Sequence, residues 1–185
     1  SICHRLVVTH LCVCETWLKI KHASENCTLD FYHCFRKDRP KRRGGGVCIY
    51  AKNNLNVSVI EPQFCAGKFE CLFIEVLPND QSSYSYCMCA CYHPPKPVYN
   101  VHELNDTLIN NFTAFVDSGR YDVIVLTGDL NSLNCDNLTE TFGLTQIVDK
   151  PTRGRRTLDV FYTNRPELFA VTVANSIVTS DHLAV

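Results

Sequence analysis

The sequence predicts a layered α/β sandwich, in which two β-sheets pack face to face and helices cover the outside. Many short apolar, β-branched runs are separated by Gly, Pro and Asn turns, and one longer stretch has apolar residues at helical spacing. The 185 residues and 45% hydrophobic content suffice for one domain, residues 1–185, with a real core, and they exclude wholesale disorder. No apolar run reaches the ~18–20 residues of a membrane span, so a transmembrane protein is excluded.

Strands are predicted one after another in the first half of the chain. The first covers residues 6–14, an apolar run that ends at the polar Glu15-Thr16-Trp17. Gly44-Gly45-Gly46 leads into the next, and Pro94-Pro95 ends the last because proline cannot donate to a sheet ladder. The strands after the first are predicted at residues 47–51, 57–60, 71–76 and 84–92.

One helix is predicted from Tyr99, where apolar residues begin to recur at helical spacing, to its end at Gly119. A buried strand follows directly and is broken by Thr127-Gly128-Asp129. The strands of this second half are predicted at residues 122–126, 144–148, 158–163 and 171–178. The excess of strands over helices gives the sandwich and argues against an all-helical fold.

Twelve cysteines invite a disulfide interpretation, but their spacing favours reduced core positions. Cys12 and Cys14, and then Cys87, Cys89 and Cys91, fall at alternate positions and so share one face of a strand. No C-x2-C pair occurs, which disfavours a zinc ribbon or finger. N-x-[ST] sequons, which would suit a secreted protein with disulfides, begin at Asn26, Asn56, Asn105, Asn111 and Asn137.

The net charge of -1 gives no overall attraction to nucleic acid, yet basic residues crowd into positions 36–43 with only Asp38 against them. Such a run is either a solvated loop or a contact for the DNA backbone. The basic residues of the run are Arg36, Lys37, Arg39, Lys41, Arg42 and Arg43.

Acidic residues stand at the ends of predicted strands, where they can project into a common cleft. They are Glu15, Asp129, Asp159 and Asp181. Carboxylates gathered in a cleft repel one another unless a cation neutralises them, and oxygen ligands suit Mg²⁺ or Mn²⁺. Each of these acids, taken alone, is equally compatible with a turn or a cap.

The residues next to these acids favour a catalytic role over a turn or a cap. Asn131 lies two residues after Asp129, so a carboxamide and a carboxylate can lean the same way from a strand end. His182 directly follows Asp181 and can change charge near neutral pH. Asp159 is the natural candidate to hold that imidazole in one tautomer, as the acid of a catalytic triad does.

These residues occur in motifs that resemble the endonuclease/exonuclease/phosphatase superfamily, which includes exonuclease III and DNase I. The motifs, in chain order, are Glu15-Thr16-Trp17, Tyr92-His93-Pro94-Pro95, Gly128-Asp129-Leu130-Asn131, Leu158-Asp159 and Ser180-Asp181-His182. Their variant forms resemble the endonuclease domain of non-LTR retrotransposons. Those forms are E-T-W-L, R-G-G-G-V, the Y-x-P-P turn, and Pro151-Thr152-Arg153-Gly154 ahead of Leu158-Asp159.

The resemblance implies a four-layer, DNase I-like α/β sandwich with two mainly antiparallel sheets, whose N-terminal and C-terminal strands are missing from a fragment truncated at both ends. It also implies site roles. Glu15 would hold the metal, Mg²⁺ or Mn²⁺, with Asp181 near the metal or the attacking water. Asp129 would deprotonate that water, and Asn131 would hold a phosphate oxygen and the nucleophile.

The other roles implied by the resemblance concern the scissile phosphate and the DNA. Tyr92 would hydrogen-bond the phosphate, and His182, oriented by Asp159, would stabilise the charge that develops on it. Arg153, Arg155 and Arg156 lie in the segment that family members place beside DNA. The products would be a 3′-hydroxyl and a 5′-phosphate, and the 3′-hydroxyl would prime a reverse transcriptase fused to the same protein, in the nucleus.

The sequence departs from the family pattern in the residues before Glu15, which lack the metal-site asparagine, and at His93, where an arginine is usual. Two alternatives remain open at this point. One is a stand-alone, secreted phosphodiesterase, which the sequons and cysteines would suit. The other is a catalytically inactive, nucleic-acid-binding relic of a retroelement.

Overall fold

The computed structural model describes residues 9–23, 27–40, 43–62, 67–80, 83–176 and 180–185. Its strands form two sheets, one with order β1-β3-β2 and one with order β4-β5-β6-β7-β9-β8. The strands are β1 His10–Cys14, β2 Tyr32–Lys37, β3 Val47–Lys52, β4 Asn56–Val59, β5 Glu70–Leu77, β6 Tyr86–Tyr92, β7 Val123–Asp129, β8 Thr145–Gln146 and β9 Asp159–Thr163. The helices are α1 Val101–Asp117 and α2 Asp136–Phe142.

The two faces of the larger sheet serve two cores. Phe73, Cys89 and Leu126 lie on the face that packs against α1 and α2. Ile74, Met88 and Val125 lie on the opposite face, which packs against Val47 and Ile49 of the smaller sheet. Successive strand residues therefore point into different cores, which explains why β5, β6 and β7 read as continuous apolar runs rather than alternating ones.

The predicted α/β sandwich of two packed, mainly antiparallel sheets with flanking helices is confirmed. Both described α-helices pack against the larger sheet. Helix α1 begins at Asn100, whose side chain accepts a hydrogen bond from the backbone N–H of His102, as a helix N-cap requires. Within the described ranges, no helix is long and apolar enough to cross a membrane.

The alternate cysteines occupy the positions predicted for them. Cys87, Cys89 and Cys91 are buried in the core beneath the helices, and Cys12 and Cys14 pack into the core between the sheets. All ten cysteines that the structure describes carry free thiols. In this part of the chain, cysteine therefore acts as a small core residue.

The structure contains two elements that the sequence did not predict, and one predicted strand differs from its expected form. Residues 32–37 form β2, which pairs along its whole length with β3, although the sequence suggested only a basic loop starting at Arg36. Helix α2 was missed because it spans seven residues and buries one apolar side chain, Leu138, so its sequence shows no period. In the predicted strand 171–178, residue Ala174 forms a single bridge with Ala184, and residues 177–179 lie outside the described ranges.

The topology brings strand ends together at one edge of the sandwich. Strands β6 and β7 are parallel, so their last residues, Tyr92 and Asp129, lie at the same edge. Strand β9 is antiparallel to β7 and begins at Asp159, which pairs directly with Asp129. Strand β1 contacts β6 and β7 across the sandwich and ends at Cys14. Side chains from distant parts of the chain thus meet at this edge.

Candidate active site

Cys14 fixes the end of β1 against the larger sheet. Its thiol donates to the backbone oxygen of Cys91 at 3.7 Å, and its sulfur accepts from the backbone N–H of Asp129 at 3.3 Å. These contacts involve the candidate site directly: Asp129 is itself a site residue, and Glu15 and Tyr92 directly follow Cys14 and Cys91. This small, half-buried side chain therefore sets the spacing between Glu15, Tyr92 and Asp129.

Glu15 and Tyr92 form one half of the site. The Tyr92 hydroxyl donates to Oε1 of Glu15, and the Trp17 indole N–H donates to Oε2 at 3.2 Å. Burial, followed by the bond to Glu15, raises the pKa of Tyr92 above its usual range. The phenol therefore stays protonated and remains a hydrogen-bond donor at neutral pH.

Behind Tyr92 lies a partly buried ion pair between Arg39 of the basic run and Glu70, to which the sequence did not point. Nε of Arg39 donates to Glu70 at 2.6 Å, and the Arg39 guanidinium lies 5.7 Å from the centre of the Tyr92 ring. The backbone N–H of Gly46 donates to the other Glu70 oxygen at 2.5 Å. A Cβ on Gly45 would lie 2.4 Å from the Glu70 carboxylate, so the glycine run allows the hairpin to approach this pair.

Asp129 and Asn131 form the centre of the site. The backbone N–H of Asn131 donates to Asp129 Oδ1 at 3.1 Å, and the Asn131 carboxamide donates to the backbone oxygen of His93 at 2.8 Å. Asn131 has φ +48°, a left-handed conformation that asparagine tolerates better than most residues. Both side chains are thereby held at the end of β7.

His93 itself points into the protein. It is 2% exposed, its Nδ1 lies 2.9 Å from the Tyr99 hydroxyl, and burial lowers its pKa below the usual value. The position where the family pattern has an arginine therefore carries a buried, neutral imidazole, whose backbone rather than side chain serves the site by holding Asn131.

Asp159 and His182 form the other half of the site. Nδ1 of His182 lies 2.7 Å from Asp159 Oδ2, which directs the opposite ring nitrogen, Nε2, outward. Thr152 holds the backbone next to this pair. Its hydroxyl accepts hydrogen bonds from the backbone N–H groups of Leu158 and Asp159, each at 3.0 Å. Its carbonyl accepts from Leu183 at 2.7 Å. Thr152 thus ties the Asp159 segment to the His182 segment.

The electrostatics centre on Asp129. Burial, and then the charge of Asp159, raise the pKa of Asp129 to about 6, with a smaller contribution from Glu15, while His182 acts in the opposite direction. Asp129, Asp159 and His182 offer ligand atoms that all lie within 4.8 Å of one another. The edge is therefore a partly buried, acidic cluster with one imidazole.

The basic residues suggested for DNA contact lie on an adjacent turn. Arg153 and Arg156 close this turn through a backbone bridge, and all three arginines, including Arg155, are exposed. Arg153 pairs with Asp181 at 2.5 Å and holds the pKa of that carboxyl below its usual value. Asp181 thus faces Arg153, outside the cluster formed by Asp129, Asp159 and His182.

The two-sheet sandwich carries, at one edge, a cluster of two carboxylates and one imidazole, an arrangement suited to acid–base chemistry. The chain belongs to the endonuclease/exonuclease/phosphatase family, because that family's sequence model matches residues 11–182. A comparison with curated protein sequences gave no match.

Three solved structures with the same fold illustrate the similarity. The AP endonuclease LMAP from Leishmania major has a TM-score of 0.68 and 18% identity, covering 95% of this chain and 76% of that chain. The endonuclease domain of TRAS1, a telomere-specific non-LTR retrotransposon, has a TM-score of 0.61 and 16% identity, covering 84% and 78%. Truncated Caenorhabditis elegans TDP2 has a TM-score of 0.60 and 11% identity, covering 95% and 82%. At these identities the likeness shows the fold.

The donor set of the edge fits a divalent cation. Asp129 and Asp159 supply carboxylate oxygens, the ligands that Mg²⁺ and Mn²⁺ prefer, and His182 supplies a ring nitrogen. Glu15 lies outside this group of closely spaced ligand atoms. Burial is the main cause of the raised pKa of Asp129, and the charge of Asp159 adds to it, so a bound cation would favour the ionised form of Asp129.

Thr152→Val is expected to lower hydrolytic activity roughly 10–100-fold, the usual cost of removing a group that orients a site residue. Two backbone N–H groups would lose their acceptor, so Asp159 would no longer be held against His182. Thr152→Ser should restore activity because it keeps the hydroxyl. Thr163→Val is the matched control, since Thr163 is equally buried at the far end of β9 and its hydroxyl accepts from Arg165. Equal losses of activity in the two valine variants would contradict the positioning role.

Proposed function

We propose that this protein is a Mg²⁺- or Mn²⁺-dependent DNA endonuclease that nicks its target to leave 3′-hydroxyl and 5′-phosphate ends. The observation that carries the proposal is the pairing of Asp129 with Asp159 across β7 and β9, with His182 bonded to Asp159 at the same edge. A general base, an oriented imidazole and cation-binding oxygens are what in-line hydrolysis of a phosphodiester requires.

The reaction adds a water oxygen to phosphorus and breaks the bond between phosphorus and O3′. Asp129 accepts the proton of that water, and O3′ takes up a proton from solvent as it leaves. Asn131 orients the water and a phosphate oxygen. In the form that carries a proton on both ring nitrogens, His182 donates from Nε2 to a nonbridging oxygen. Tyr92, which stays protonated, donates to the scissile phosphate.

Glu15 would hold the cation, with Asp181 nearby, and the bound cation would stabilise negative charge on the phosphate. In the structure, Glu15 accepts hydrogen bonds from Tyr92 and Trp17, and Asp181 pairs with Arg153. Arg153 is therefore positioned to release Asp181 when it contacts a DNA phosphate instead. This exchange would couple DNA binding to the arrangement of the site.

We further propose that the enzyme acts as the target-site endonuclease of a non-LTR retrotransposon, fused to a reverse transcriptase. The R-G-G-G-V hairpin, the Pro151-Thr152-Arg153 turn and the likeness to the TRAS1 domain support this role. The stand-alone secreted phosphodiesterase is less well supported. Asn111, the fourth sequon, is 1% exposed within α1 and donates to the backbone of Thr107, so a glycan has no access to it.

The test is the nicking of supercoiled plasmid by the purified protein in Mg²⁺. We expect open circles whose 3′ ends a DNA polymerase extends directly, and a loss of about 10²–10³-fold in His182→Ala. His102→Ala, an exposed histidine on α1, is the matched control and should nick normally. DNA binding without nicking would favour the inactive relic, and nicking that is unchanged in His182→Ala would overturn the proposed site.

Charge reversal of Arg155 and Arg156 to glutamate is expected to weaken binding to all duplexes to a similar degree. Exposed arginines on a turn contact phosphates, which provide affinity but no sequence information. Titration of several duplex sequences at varied salt should also show a smaller salt dependence, by roughly one unit of slope for each lost phosphate contact. A loss confined to one sequence would show that these residues read bases.

A further inference from the structure

A cleft of about 620 Å³ opens beside the candidate site. One wall is the end of β2 with the residues that follow it, and the other is the loop that runs from Tyr92 to α1. We call it the basic cleft and define it by Lys37, Arg39, Lys96, Ile20 and Val98. None of these residues has a role in the mechanism above.

The charge of the basic cleft selects an anion. Its lining includes five cationic side chains, those of Arg36, Lys37, Arg39, Lys68 and Lys96, against the carboxylates of Asp38 and Glu70. Arg36 pairs with Asp38 at 3.4 Å, Arg39 with Glu70 at 2.5 Å, and Lys68 with Glu103 at 2.9 Å. In the described ranges, Lys37 and Lys96 form no ion pair. Two cations thus remain to meet negative charge from outside the chain.

The size and the apolar surface of the cleft indicate which kind of anion it can bind. Ile20 is 80% exposed and Val98 67% exposed, and both line the cleft, so aliphatic surface faces solvent next to free lysines. Unpaired nucleotides present an anionic backbone together with apolar base faces, and proteins bind them with this combination of groups. The volume lies within the ~300–1,000 Å³ of small-molecule clefts, which is too small for a duplex.

The basic cleft is continuous with the site. Arg39 lines the cleft and also lies against the Tyr92 ring, and Pro94, two residues after Tyr92, lines it as well. A strand whose phosphate is held by Tyr92 can therefore extend past Arg39 into the cleft without leaving the protein surface.

We propose that the basic cleft binds an unpaired segment of the DNA strand that flanks the scissile phosphate. This inference rests on the proposed function, since it places the cleft on the path of the cleaved strand. The enzyme would accordingly prefer a duplex with an unpaired stretch beside the cleavage position over a fully paired one.

The test measures binding by fluorescence anisotropy in EDTA, with a fully paired duplex and with the same duplex carrying an unpaired single-stranded flank. Lys96→Gln combined with Val98→Ser should weaken binding of the flanked DNA roughly tenfold more than binding of the paired DNA. The salt slope for the flanked DNA should fall by about 0.7 for the lost phosphate contact. Arg120→Gln is the control, because Arg120 is exposed and pairs with Glu75 away from the cleft.

The outcomes separate this inference from the proposed function. Equal weakening for both DNAs, or none, overturns the role of the cleft even if plasmid nicking succeeds. A selective loss supports the cleft even if no nicking is found, because the binding assay needs neither metal nor turnover.

Discussion

Replacing Asp129 by asparagine is expected to abolish nicking and, at the same time, to stabilise the metal-free protein above about pH 6. The loss of the general base should cost about 10²–10⁴-fold in rate. The stability gain follows from the raised pKa of Asp129. Its ionised form is disfavoured in the folded state, so stability is full below the ordinary carboxyl pKa and is lost as the pH rises through about 6.

Asparagine removes that charge and keeps an oxygen that can accept from the backbone of Asn131. Urea denaturation in EDTA should therefore show a gain of about 1–3 kcal/mol near neutral pH and above, and little gain at about pH 4. Asp117→Asn, at the exposed end of α1, is the matched control and should change neither activity nor the pH profile of stability. A stability gain that is the same at every pH would show that burial and charge repulsion at Asp129 are not its source.

Gly128→Ala should be among the most damaging small substitutions in the protein, at about 3 kcal/mol or more of unfolding free energy. Gly128 has φ +129°, and a Cβ there would lie 2.1 Å from the backbone oxygen of Cys91. Relief of that clash would separate β6 from β7 at the point where Tyr92 and Asp129 follow. Activity should fall with stability, because the spacing between these two residues is set there.

Gly119→Ala is the control that measures the cost of backbone strain without a clash. Gly119 also has a left-handed φ, +61°, but nothing lies within 4 Å of a Cβ built there. Its substitution should cost about 1–2 kcal/mol by equilibrium denaturation. If both variants lose the same unfolding free energy, the clash of a Cβ at Gly128 with Cys91 contributes nothing to the loss.

Local patterns predicted much of the sandwich. Alternate cysteines showed that Cys87, Cys89 and Cys91 share one face of β6, and helical spacing gave α1 within a few residues, because both patterns depend on neighbours in the chain. Strand β2 was missed because its sequence, Tyr32–Lys37, is rich in charge and its stability comes from pairing with β3. Short pieces such as α2 depend on tertiary contacts in the same way.

The site residues that belong to short sequence motifs could be predicted. Asp129, Asn131, Asp159 and His182 stand out by residue type at strand ends, and the structure brings them together. The positioning roles of Thr152 and Cys14, and the pairing of Arg39 with Glu70, do not stand out in the sequence, because threonine, cysteine and ion pairs are common in proteins. Their importance comes from contacts between segments far apart in the chain, such as the bond from Asp129 to Cys14.

Buried cysteine thiols of the core are also expected to react slowly with alkylating reagents in the native protein. Burial raises the pKa of Cys48 and Cys87 to about 12, so few of these thiols are ionised at neutral pH, and both are buried while the sheets stay packed. Their alkylation requires the sheets to come apart. The rate at which these sulfurs react therefore reports how often the sandwich opens, and bound DNA or metal would be detected as a slower reaction.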